Sequence, residues 1–291
     1  MSTTPLLPGL AALAEAYDGF ILDLWGVIHD GQRVFPHAID TLRALRDAGK
    51  RAVLLSNAPR REAVVGARNH EIGLPHGLVA GLVTSGEEAW RHMHDRPDAF
   101  HQGLGRRCLH LGGPRDRSMR DGLPYDFVAD AAAADCILNT GSAEEDGSMA
   151  ATEAALATAA ARDLPMVCAN PDRVVIAGGR REPCAGAIAD RYAALGGRVA
   201  WHGKPFPGVY RRALERLGVS DPARVLCVGD GMETDMVGAK NAGLPALFIL
   251  GGIHQDEVGR NSQGEVDAAG LQRVAGHYGV QPVAALQRFT W

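Results

Sequence analysis

Phe20-Ile21-Leu22-Asp23-Leu24-Trp25-Gly26-Val27 is the stretch on which the fold turns. An apolar strand runs into an acid where the chain should leave the sheet, and a tryptophan follows two residues later. A carboxylate at a buried strand end needs partners. In a parallel sheet, that edge is also where ligands bind. Working outward, residues 20–24 predict a strand, and 38–48 predict a helix with Ile39, Leu42 and Leu45 on one face before Gly49. Residues 52–55 predict a second strand, followed by the loop Ser56-Asn57-Ala58-Pro59. Apolar strands alternating with amphipathic helices predict a parallel sheet covered by helices.

The last third repeats the rhythm. A helix over 208–217 follows Pro207, a strand over 225–228 ends at Gly229-Asp230, a helix over 234–242 closes at Gly243, and a strand follows over 246–250. The middle carries its own strands at 108–111, 136–139 and 166–169, with an alanine-rich helix over 149–161. Residues 112–122 predict an exposed loop. The expected architecture is α/β: a Rossmann-like parallel-sheet core made of 1–84 and 201–291, with an inserted α/β domain over 85–200.

Composition narrows the function. The 291 residues are 46% hydrophobic, enough to fill real cores, and the net charge of −4 leaves no basic footprint for nucleic acid or anionic lipid. Cys108, Cys136, Cys168, Cys184 and Cys227 form an odd set without CxxC spacing; all but Cys184 lie in apolar runs and predict buried free thiols. The first seventeen residues do not resemble a signal peptide, and no segment has the length of a membrane span. A cytoplasmic protein of a reducing compartment is expected.

Asp23, Ser56 and Asp230 all fall at or just after predicted strand ends, so a parallel sheet brings them to one edge. A phosphomonoester is a dianion, and a carboxylate can attack it only once that charge is neutralised. Mg²⁺ on Asp23 and Asp230, with the Lys204 ammonium, would do so. Asp235 is placed to support the metal or orient Lys204, and Ser56, Asn57 and backbone N–H groups such as that of Gly231 to hold phosphate oxygens. Each piece also has a plain structural reading: a turn-forming Asp, an ordinary loop, a solvated lysine, a Gly-Asp-Gly turn. Their order along the chain, each at a strand end or loop, favours chemistry.

Asp23-Leu24-Trp25-Gly26-Val27, Leu54-Leu55-Ser56-Asn57, His202-Gly203-Lys204-Pro205 and the run from Val228 through Gly229, Asp230, Gly231, Met232, Glu233 and Thr234 to Asp235 resemble the four motifs of the haloacid dehalogenase-like superfamily. Ala169-Asn170-Pro171-Asp172 is similar to its subfamily IIA, the branch with a large α/β cap that includes p-nitrophenyl phosphate and pyridoxal phosphate phosphatases. The resemblance spans nearly the whole chain. It implies a Mg²⁺-dependent phosphatase acting on a small phosphorylated metabolite through an aspartyl phosphate on Asp23. It also implies metal ligands at Asp23, Asp230, Asp235 and the Trp25 carbonyl, phosphate held by Ser56 and Lys204, and a cap that selects substrate and can support a homodimer. It places residues 183–187 opposite the substrate, where helix N–H groups meeting an anion and a close-packed turn are equal readings.

The resemblance breaks at Trp25, where most phosphatases of the superfamily carry the aspartate that protonates the leaving oxygen. An indole cannot transfer that proton, and general acid–base help is typically worth about 10²–10⁴-fold. A slow or selective phosphatase, a phosphate-binding pseudoenzyme and a phosphotransferase are the readings that follow. His29 and Asp30 are expected to serve the following turn, Arg180 and Arg181 to be plain surface arginines, and His254 to be a surface histidine.

Overall fold

The computed structural model describes residues 3–142, 149–177, 180–261 and 264–291. In chain order the strands are β1 (Leu6–Leu7), β2 (Gly19–Asp23), β3 (Arg51–Ser56), β4 (Gly81–Thr84), β5 (Arg107–Leu111), β6 (Asp126–Val128) and β7 (Cys136–Asn139). They continue as β8 (Met166–Cys168), β9 (Val174–Ala177), β10 (Arg180–Pro183), β11 (Val199–Trp201), β12 (Val225–Gly229), β13 (Ala246–Ile249) and β14 (Ala284–Leu286). Two compact units divide the chain. The first holds the residues up to Ser56, Gly66–Val83 and Lys204–Trp291; the second holds Asn57–Val65 and Thr84–Gly203.

The first unit is built on a sheet ordered β1-β14-β13-β12-β2-β3-β4. β2 pairs in parallel with β3 on one side and with β12 on the other. The chain therefore leaves β2 toward one edge and leaves β12 toward the opposite one, which makes the gap between their carboxyl ends the switch point where such sheets bind ligands. All five residues of β2 and all five of β12 are buried, which their near-unbroken apolar sequences require. The helices Pro36–Asp47 and Pro207–Leu217 pack against β3, and each begins with proline at its first turn, where a missing N–H costs nothing. The core joins Ile21, Val53 and Val225 of the strands to Val209, Tyr210, Ala213 and Leu217 of the second helix.

The second unit has a five-stranded sheet ordered β11-β8-β7-β5-β6 with every pair parallel, and a separate antiparallel β9–β10 ribbon. One core cluster gathers Ile137, Leu156, Met166, Ile188 and Tyr192, and another gathers Met93, Cys108, Met119 and Val167. Residues 57–65 pack here because Arg60 bonds Asp116 at 2.8 Å and Arg61 bonds Glu87 at 2.7 Å. Within 112–122, residues Pro114–Met119 form a 3₁₀ turn with Met119 buried, rather than a bare loop. Gly186 sits in a close-packed turn, since a Cβ there would lie 2.2 Å from the Pro171 carbonyl oxygen. Its N–H bonds the Asp172 carbonyl at 3.0 Å. The side chains of Arg180 and Arg181 lie outside the described residues.

A candidate acidic active site

The pairing register places Asp23 beside Leu55, one residue before Ser56, and Leu22 beside Val228, two residues before Asp230. Asp23, Ser56 and Asp230 thus share the carboxyl edge of the first sheet, as the sequence spacing predicts. Carboxylate oxygens of Asp23, Asp230 and Asp235 lie within 4.8 Å of one another, and all three residues are buried. Lys204, only 3% exposed, donates its ammonium to Asp23 and, at 2.8 Å, to Asp235.

Asp235 is carried by a π-helical turn, Met232–Met236, that opens the helix Val237–Asn241. The sequence periodicity starts this helix at 234; the wider turn begins two residues earlier, with the Asp235 and Met236 N–H groups both bonding the Gly231 carbonyl. Gly231 gives its own N–H to Asp235 Oδ2 at 3.0 Å, so the contact expected to face phosphate is spent on holding a carboxylate. His254 is buried, unlike the surface histidine expected, and its Nε2 accepts the Met232 N–H at 3.1 Å. Its Nδ1 faces Glu257 Oε2 at 3.1 Å, which fixes the tautomer with the proton on Nδ1. His254 therefore positions the start of the turn that carries Asp235. The only sequence signal for it is its place just past the β13 edge.

Backbone closes tightly around Asp230. Its Oδ2 accepts the Ile253 N–H at 3.0 Å. A Cβ on Gly26 would lie 2.2 Å from the same oxygen, and one on Gly252 would lie 1.9 Å from it. Gly26 also has φ of +79°, so both its conformation and its contact require glycine. The Trp25–Gly26 peptide thus lies against Asp230. The Trp25 indole turns onto the next loop, edge-on to His29 at 5.7 Å and over Gly31. His29 Nδ1 accepts the Gly31 N–H at 3.1 Å, and Asp30 Oδ1 accepts those of Gln32 and Arg33, both at 2.9 Å. Both side chains serve that turn, as expected.

Asn57 belongs to the second unit, where its carboxamide donates to Asp172 Oδ1 at 2.7 Å. Asp172 in turn gives its N–H to Asn170 Oδ1 at 2.8 Å, which makes the Asn-Pro-Asp segment an anchor for the loop after β3. Glu88 receives the Gly203 N–H at 3.1 Å and lies 3.5 Å from His202, whose Nε2 meets His101 Nε2 at 3.2 Å. These buried groups hold the residue directly before Lys204.

One ammonium stands among three buried carboxylates. Burial alone would lower the Lys204 pKa, but Asp23 and Asp235 raise it above the ordinary lysine value and keep it charged. Burial, then the Asp235 charge, pushes Asp230 up to about 7. Surplus negative charge in an all-oxygen cluster is what a hard divalent cation neutralises, so the residues fit Mg²⁺.

The haloacid dehalogenase-like hydrolase family model matches residues 20–124, and a HAD-hydrolase-like model matches residues 201–275. A haloacid dehalogenase-like hydrolase from Brucella suis is 32% identical, superposes with a TM-score of 0.82, and is matched over 98% of this chain and 100% of its own. This chain belongs to the haloacid dehalogenase-like hydrolases. The fold is also shared with p-nitrophenyl phosphatase from Archaeoglobus fulgidus, at 21% identity and TM-score 0.72, over 94% of this chain and 97% of that one. It is shared with a Mycobacterium tuberculosis glycerol phosphate phosphatase in complex with magnesium, at 22% identity and TM-score 0.65, over 93% and 79%. No curated protein sequence matches the chain. Among the described residues, no helix is long and apolar enough to cross a membrane.

Proposed function

We propose that this hydrolase is a Mg²⁺-dependent phosphatase of small phosphomonoesters. The observation that carries the reading is the buried cluster of Asp23, Asp230 and Asp235 around Lys204 at the switch point of the sheet. Mg²⁺ held by Asp23, Asp230 and the Trp25 carbonyl, with Asp235 beside it, would offset the phosphate charge. Asp23 is the nucleophile: its carboxylate forms a bond to phosphorus as the ester oxygen departs, and water then releases inorganic phosphate from the aspartyl phosphate. Lys204 holds the attacking carboxylate in place and balances phosphate charge, and Ser56, at the end of β3, holds a phosphate oxygen. The second unit acts as a cap that selects the substrate.

Trp25 makes turnover slow for esters whose leaving oxygen needs a proton. A phosphate-binding or phosphotransferase role is the second reading, and the same indole favours it. The partner is a small phosphorylated metabolite rather than nucleic acid or membrane, in the cytoplasm, with self-association through the second unit.

The test is phosphate release from p-nitrophenyl phosphate with and without Mg²⁺, against Asp23→Asn as the blank. Turnover that needs both Mg²⁺ and Asp23 supports the phosphatase; no turnover above the blank moves the assignment to the second reading.

A further inference from the structure

Away from the acidic cluster, the rings of His92, His101 and His202 meet in the second unit. The His202 ring centre lies 4.5 Å from that of His92 and 5.3 Å from that of His101, and the other two stand 5.1 Å apart. His101 and His202 are buried, with a carboxylate at each end of the pair. His101 Nδ1 lies 2.8 and 2.9 Å from the two Asp98 oxygens, so it keeps its hydrogen, because a carboxylate only accepts. Burial holds the His101 pKa below the ordinary histidine value against the pull of Asp98, so the ring is neutral and its Nε2 offers a lone pair. That lone pair faces His202 Nε2 at 3.2 Å, and the two nitrogens share one hydrogen. His202 therefore donates from Nε2, which leaves its Nδ1 bare. The distance agrees: His202 Nδ1 stays 3.5 Å from Glu88 Oε2, longer than an ordinary N–H···O bond.

There is no room for a second hydrogen between the facing Nε2 atoms, so the next proton on this pair goes to His202 Nδ1. The groups that face the pair are Glu88 and His92, from the helix Ser85–Asp95, and Asp98, which caps the turn Ala99–Gln102. His92 gives its own Nδ1 hydrogen to the Glu88 carbonyl at 2.9 Å. A proton on His202 Nδ1 draws Glu88 Oε2 inward, and the same oxygen accepts the Gly203 N–H at 3.1 Å. Gly203 has no slack to absorb that movement. Its φ is +112°, and a Cβ there would lie 2.6 Å from Asn57 Oδ1 and 2.8 Å from Ser85 Cβ. The chain passes from the second unit into the first at the next residue, Lys204. We propose that His101 and His202 are positioning residues for Lys204, a one-proton couple that shifts the hold on Gly203 in acid and so lowers turnover there. The proposal rests on the phosphatase reading and deepens it by naming a regulation of the same site. The proton comes from solvent, and no bond between heavy atoms forms or breaks.

Two readouts test the couple. The first is kcat for p-nitrophenyl phosphate with Mg²⁺ at about pH 5.5 and about pH 7.5, which span the range where histidine changes charge. His202→Gln keeps an N–H donor for His101 but has no nitrogen to protonate toward Glu88. Glu88→Gln keeps an acceptor for the Gly203 N–H without the charge. The acid-to-neutral kcat ratio of the wild type should lie about two- to tenfold below that of either variant, a fraction of the roughly 10²-fold that a 1 Å misplacement can cost. The acidic cluster titrates in all three proteins, so the comparison cancels it. The second readout needs no substrate: the NMR resonance of the Gly203 amide should move with pH in the wild type and hold still in His202→Gln. A Gly203 resonance that moves equally in both proteins, or equal kcat ratios in all three, overturns the couple while leaving the phosphatase intact. Absence of Asp23-dependent turnover removes the phosphatase reading and the effect on turnover with it, and the Gly203 titration then decides the proton couple alone.

Discussion

Lys204 Nζ lies 2.8 Å from Asp235 Oδ1 while bonded also to Asp23, so a single ammonium serves two of three buried carboxylates. Asp230 is held by backbone, and burial together with the Asp235 charge disfavours its charged form. Mg²⁺ should therefore raise the melting temperature, since a ligand at 100 times its Kd stabilises by about 2.7 kcal/mol. Asp230→Asn removes one of the charges the ion offsets and should shrink that rise. Lys204→Met leaves the acids without their cation, should destabilise the metal-free protein by about 3–5 kcal/mol, and should enlarge the rise. Thermal melts with Mg²⁺ and with chelator read all three, and equal shifts would show that the ion binds elsewhere.

Gly252→Ala tests the close approach to Asp230. Its Cβ would lie 1.9 Å from Oδ2, so either the carboxylate or the loop must move. Overpacking of this kind costs about 1–3 kcal/mol, and phosphate release should fall at least about tenfold because a misplaced reacting geometry is expensive. Gly276→Ala is the control. It sits exposed in the helix Ala268–His277 with nothing within 4 Å of the added atom, and should stabilise by up to about 1 kcal/mol without changing activity.

His254→Leu leaves the Met232 N–H without its acceptor, a loss of about 1–3 kcal/mol for a buried donor. Since that N–H opens the turn bearing Asp235, kcat should fall together with stability. A variant that loses stability but keeps its kcat would confine His254 to structural support.

Acid sensitivity of the second unit should trace to His110. Its Nδ1 accepts from Arg120 Nε and its Nε2 faces Thr140 Oγ1, both at 2.9 Å, an arrangement that requires the neutral ring. Burial, with the Arg120 charge adding to it, holds its pKa down at about 4, against 6.5 for a free histidine. The unfolded chain thus binds the proton first, and the stability this group supports is complete above 6.5 and declines as pH falls toward about 4. Denaturant titrations of the wild type and His110→Gln across that window should show a smaller slope with pH in the variant; parallel slopes would assign the acid loss to other groups.

Much of the site is legible in the sequence because Asp23 and Asp230 stand at the ends of buried strands whose apolar runs are plain, at 20–23 and 225–229. Asp23, Asp230, Asp235 and Lys204 come together where the spacing predicts. The two-residue β1 and the three-residue β14 escape detection because so few residues show no period, although their pairing forms one edge of the sheet. The π-helical turn escapes because its sequence differs in nothing from an α-helical start. Gly231 and Asn57 look like phosphate contacts since both follow a strand, yet their polar groups meet Asp235 and Asp172. His254 shows most clearly what sequence hides: a histidine's partners lie across the fold, and only the assembled sheet brings Met232 to it.

The pairing of β2 with β12 has a consequence for synthesis. All five strands of the second unit's main sheet emerge between residues 107 and 201, before β12 exists. β2 must wait for a partner roughly 200 residues downstream, and long-range strand pairing of this kind is slow. The growing chain thus carries Asp23 on an incomplete sheet while the inserted unit already has its own cores, and this carboxylate gains its lysine and its fellow acids only in the last third of translation.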